Sequence, residues 1–152
     1  MAASVLAIVA ATGACSSLGG SDGVGALRVG DCIDQPQANA TTSDVRHQPC
    51  NLPHDAEVFA VLTNPAGPDE PYPAEGDMEG FVQEGCVPLW ETYTGRTWAT
   101  EIALTISFLQ PTVTDWADGD RGFSCYTTRY GGGKLIASVK NIGTSPLPAQ
   151  TP

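Results

Sequence analysis

Apolar and polar positions alternate with a period of two in several short stretches of this chain, and with a helical period in one. Ile102, Leu104, Ile106 and Phe108 alternate with Ala103, Thr105 and Ser107, the pattern of a half-buried strand. Phe123, Cys125 and Thr127 repeat it across residues 122–130. Glu57 to Thr63 is rich in β-formers, and Val29 to Ile33 and Asp44 to Cys50 are shorter strand candidates. The triplet Gly131-Gly132-Gly133 reads as a hairpin turn into a last strand, Leu135 to Val139.

Met78, Phe81, Val82, Cys86, Leu89, Trp90 and Tyr93 recur at three-and-four spacing and line one face of a helix. Asp77 is placed to cap its start and Gly95 its end. Pro88 falls inside, and because proline lacks an amide and clashes one turn back, a kink or two short helices are expected. Residues 64–76, dense in proline and glycine, are excluded from regular structure. The order β-β-β-α-β-β-β predicts an α+β domain, with one kinked helix packed on a small, mostly antiparallel sheet.

A separate apolar run, Val5 to Ala14, ends at Cys15 and is followed by the small polar stretch Ser16 to Ser21. It is about half the ~20 residues a membrane-spanning helix needs, so it reads as a signal core. Apolar run, small residues, cysteine and tether together make the layout of a bacterial lipoprotein signal, with Cys15 the acylated residue. Thr12 stands where such a signal prefers Leu. Met1 to Ser4 carry no Lys or Arg, and a start upstream of Met1 accounts for that. The chain divides into a signal segment 1–15, a flexible Gly/Ser-rich linker 16–26, a folded domain 27–140 and a disordered, proline-bearing tail 141–152. The expected location is extracytoplasmic, on the cell membrane through the lipid anchor, with plain secretion the alternative.

The 152-residue chain leaves about 110 residues for folding, enough for one domain. Its formal net charge is −10, with pI near 4.3. That acidity excludes nucleic acid as a partner and leaves membrane contact to the acyl chains. With Cys15 lipidated, Cys32, Cys50, Cys86 and Cys125 remain, an even set that implies two disulfides in an exported domain. Three pairings are open; the expected one joins sequence neighbours, Cys32 with Cys50 and Cys86 with Cys125. Structural zinc is not expected, since no C-x-x-C pair occurs.

Pro53-His54-Asp55-Ala56-Glu57 places an imidazole and two carboxylates within four positions. On a regular strand Asp55 and Glu57 share a face and His54 points away, leaving two ligands for any one ion, a poor zinc site. The expected role is a turn cap with amide or arginine partners. Asp115, Asp118 and Asp120 crowd a second loop, but the alternation and terminal Glu of a calcium loop are missing. A tight turn is expected there, with Asp120 or Glu57 paired to Arg121. No nucleophile elbow, phosphate loop or H-E-x-x-H occurs, so no catalytic residue, metal or cofactor is assigned.

Taken in order, Val29-Gly30-Asp31-Cys32, Pro49-Cys50, His54-Asp55-Ala56-Glu57-Val58, Cys86 and Trp116…Gly119-Asp120-Arg121…Cys125 resemble the actinobacterial septum-formation domain family. The resemblance runs from about Val29 to Val139 and implies a small exported or membrane-anchored module linked to division septa, with no catalytic residues to carry over. It marks His54, Asp55, Glu57, Trp116, Asp120 and Arg121 as a structural or ligand-binding set beside the cysteines, with fold maintenance the expected role. The implied function is a non-enzymatic binding or scaffold domain whose partner is a cell-envelope or division protein or a cell-wall ligand. The rivals are an envelope metal-dependent hydrolase using His54, Asp55 and Glu57, and an accessory lipoprotein with no septal role.

Overall fold

The computed structural model describes residues 21–22, 27–34 and 45–149. The signal segment with Cys15, most of the expected linker and residues 150–152 lie outside the described residues. The strands are β1 (Ser21–Asp22), β2 (Cys32–Asp34), β3 (Val45–Gln48), β4 (Ala56–Thr63), β5 (Leu104–Leu109) and β6 (Gly122–Arg129). Between β4 and β5 lie helix α1 (Glu75–Thr94) and a 3-10 turn (Trp98–Thr100); the short helix α2 (Val113–Ala117) precedes β6. All strand pairs are antiparallel, in the order β1-β3-β2-β4-β6-β5. The domain is thus α+β, as the periodicity implies. No helix among the described residues is long and apolar enough to cross a membrane.

Helix α1 covers one face of the sheet with Met78, Val82, Cys86 and Trp90, one residue per turn, and then Tyr93. They pack with Phe59, Phe123, Leu135 and Val139. A smaller cluster holds Leu27, Ile33, Val45, Ala56 and Val58. Strand β4 serves both clusters by presenting a face to each, and a bulge between Val58 and Ala60 shifts its phase so that the successive Phe59 and Ala60 join the same core. Ala56 and Val58 belong to the smaller cluster, whereas Phe59, Ala60 and Leu62 all belong to or pack on the helix-side core.

Several expectations need correction. Of the two alternatives left open at Pro88 the single helix holds: α1 is one continuous element, and Cys86 and Trp90 bury it on either side of the proline. Its N-cap is Ala74, with no side-chain bond, so Asp77 is not the cap. It sits in the first turn with Glu75, where a negative charge complements the helix dipole. Gly95 does end the helix, at φ 71°, with its amide bonded to the Glu91 carbonyl. Leu89, read as part of the apolar face, is largely exposed.

Leu135 to Val139 is not a strand. Strand β6 already has β4 and β5 on its two sides, so a hairpin after it has no free edge to join. Gly131, Gly132 and Gly133 all take positive φ, and the chain leaves the sheet, keeping a single bridge between His54 and Leu135. Residues 141–149, expected within a disordered tail, are bound to the body. The Asn141 and Gly143 amides donate to the Tyr93 and Thr94 carbonyls, and Ile142 and Leu147 pack on the helix-side core. Ser21–Asp22, inside the expected linker, pair with β3.

Both disulfides join sequence neighbours. Cys32–Cys50 ties β2 to the loop after β3, and Cys86–Cys125 ties α1 to β6 beneath it. In the chain-entropy view, loops of 18 and 39 residues make these worth about 3 and about 4 kcal/mol.

Candidate functional site

Strand alternation does not extend back beyond Ala56. His54 is held by its bridge to Leu135, and Asp55 lies in a bend between that bridge and β4. His54 and Glu57 therefore both turn inward and are fully buried, while Asp55 faces outward. This reverses the expected sharing of a face by Asp55 and Glu57.

The Glu57 carboxylate is bound by three donors. Its Oε1 accepts from the Tyr93 hydroxyl at 2.5 Å and the Ser138 hydroxyl at 2.6 Å; its Oε2 accepts from the Val139 amide at 2.8 Å. Such a set is what a carboxylate needs to be buried without a cation. Burial and the Glu57 carboxylate together push the Tyr93 phenol well above its ordinary pKa, so it stays a proton donor. His54 Nδ1 lies 2.7 Å from the Leu52 carbonyl, which can only accept, so the ring proton is on Nδ1. Nε2 is buried and has no hydrogen-bond partner among the described residues. One ring nitrogen of His54, one Glu57 oxygen and Cys32 Sγ lie within 4.8 Å of one another, the sulfur being held in the disulfide to Cys50.

Asp55 joins a different group. Lys134 Nζ bridges Asp34 Oδ1 at 2.7 Å and Asp55 Oδ1 at 2.8 Å. Burial alone would raise the Asp34 carboxyl, but its bonds to Lys134 and Gln48 hold it below its ordinary range. Burial would likewise lower Lys134, yet the two carboxylates raise it.

Arg121 is nearly buried and pairs with neither Asp120 nor Glu57 through their carboxylates, contrary to expectation. Its Nη1 donates to the Trp116 and Asp120 carbonyls at 2.6 and 2.9 Å, and its Nη2 to those of Gly67 and Pro68 at 3.0 and 3.3 Å. The guanidinium lies 3.8 Å from the Trp116 ring centroid. Trp116 in turn donates through Nε1 to the Glu70 carbonyl. The pair thereby fixes the proline-rich 64–74 segment, which has no regular structure, against α2; the expected irregular stretch ends two residues early, because α1 already begins at Glu75. Asp120 accepts from the Gly122 amide, and Asp115 closes a capping box with Thr112 at the start of α2. These acids are turn and cap residues; they do not converge as calcium ligands.

The six motif residues thus form three separate groups: His54 with Glu57, Asp55 with Lys134, and Trp116 with Asp120 and Arg121. The hydrolase triad of His54, Asp55 and Glu57 is not assembled. Sequence reading missed Tyr93 and Ser138 as partners of Glu57, and Cys32 as a neighbour of His54. Tyr93 was visible only as a core position, and nothing local marks Ser138, which lies 81 residues from Glu57.

A family model described as septum formation matches residues 29–145, most of the chain. Neither a curated protein nor a solved structure gives a significant match.

Proposed function

The chain belongs to the septum formation family, and on that premise we propose that it is a lipid-anchored, extracytoplasmic binding or scaffold domain of the cell envelope, acting in cell division. The observation that carries the binding reading is the inward use of the motif. Glu57 is bound by three internal donors, and Arg121 by four carbonyls and an indole. These residues hold the domain in shape, which leaves recognition to its surface. The two disulfides suit an oxidising compartment, and Cys15, at the end of an apolar run, supplies the acylation site. An enzymatic role has less support, since His54 and Glu57 are sealed from substrate and Asp55 faces away from them.

A fluorescent fusion at the C-terminus of the full chain tests the reading in dividing cells. Enrichment at septa, lost to the medium or the whole periphery on Cys15→Ala, is the expected result. Uniform envelope signal, with normal septa in cells lacking the protein, would reject the septal role and favour an accessory lipoprotein.

A further inference from the structure

We propose that opening the Cys32–Cys50 disulfide creates a zinc-type metal site on Cys32, His54 and Glu57. One ligand atom from each residue lies within 4.8 Å of the other two, and all three residues are buried. The imidazole is already oriented as a ligand. Its Nδ1–H is fixed on the Leu52 carbonyl, which leaves the buried Nε2 lone pair with no partner among the described residues. A backbone carbonyl on the far nitrogen is the usual way a metal-bound histidine is oriented. Glu57 is also oriented from behind, by Tyr93, Ser138 and the Val139 amide, and Oε2 takes only one of those donors. A lone pair remains on it for a cation.

In the disulfide, Cys32 sulfur carries no charge, so only two ligands face the centre, too few to hold zinc. Cys50 is the more exposed partner, Cys32 the buried one. A dithiol reductant attacking Cys50 sulfur forms a mixed disulfide there and expels Cys32 as the thiolate. The reductant's second thiol then releases Cys50, so two electrons and two protons enter and the dithiol leaves oxidised. The Cys32 thiolate emerges beside the Glu57 carboxylate and an imidazole lone pair, three electron-rich groups in a buried space. A divalent cation relieves that repulsion, and where Cys32 has picked up a proton, binding displaces it. The same cysteine is then a covalent staple under oxidation and a metal ligand under reduction.

The test uses the full chain and cobalt(II) as the spectroscopic probe for zinc. Cys50→Ser frees Cys32 without reductant; Cys32→Ser breaks the same disulfide but removes the ligand. Cys50→Ser is expected to bind one ion per chain with a thiolate-to-cobalt charge-transfer band, displaced by zinc. Cys32→Ser and the oxidised wild type should show no such band. His54→Ala added to Cys50→Ser should weaken binding by about tenfold or more. Equal binding by Cys50→Ser and Cys32→Ser, or none by either, overturns the proposal. If Cys50→Ser does not fold, wild type reduced after purification is the substitute, with alkylation and mass confirming that Cys86–Cys125 is still closed; absence of the band there overturns it equally.

Discussion

Arg121 holds four carbonyls from two segments and stacks on Trp116, a geometry that a lysine ammonium cannot reproduce. Arg121→Lys should therefore cost about 2–3 kcal/mol in urea unfolding although the charge is kept. A loss below about 0.5 kcal/mol, the ordinary range for a surface change, would remove the structural role given to the motif. Glu57→Gln should cost about 1–3 kcal/mol, because an amide nitrogen facing the Val139 amide or the two hydroxyls leaves a buried donor unmatched. Glu101 contributes to the acid sensitivity of the fold. Burial would raise its pKa, but Arg96 and the Ala103 and Leu104 amides lower it below its ordinary 4.5. A depressed folded-state pKa gives stability that is fully present above 4.5 and fades as the pH falls through the lower value. The urea midpoint should drop on acidification through that range, and Glu101→Gln should flatten part of the slope. At this scale the sequence marks which residues matter but not where they point. Strand alternation misassigns His54 because the bridge to Leu135, far along the chain, rotates it inward.

Two helical glycines separate propensity from packing. Gly80 is exposed, and a Cβ built there meets nothing within 4 Å, whereas one at Gly85 would lie 2.6 Å from Leu62 Cδ1. Gly80→Ala should stabilise by about 0.5–1 kcal/mol. Gly85→Ala should gain less or destabilise, because Leu62 must turn out of the core to admit the methyl. Thermal unfolding of the two variants decides; an equal gain would mean that the helix does not press on β4 at this point. The elements themselves are largely legible. Helix α1 and strands β4 to β6 carry long periodic patterns, and two of them contain the cysteines of one disulfide. What periodicity cannot supply is the sheet's strand order. That order denies Leu135 to Val139 a partner strand, although the composition of the segment suits one.

For the molecule as a whole, the C-terminal segment closes the fold. Ser138 and Val139 satisfy Glu57, Ile142 and Leu147 extend the core, and Arg96 donates to the Ser145 carbonyl. Ending the chain at Lys140 should cost about 2–4 kcal/mol by loss of that apolar burial and those bonds. Unchanged stability would restore the tail reading that proline content suggests. The wider claim is that this domain is built for an oxidising compartment and held at the envelope by Cys15. Intact mass of the protein from its native membrane fraction, before and after reduction with alkylation, tests this most directly. The account predicts a chain beginning at an acylated Cys15, with four thiols that appear only on reduction. An unprocessed N-terminus with freely alkylated cysteines would contradict it.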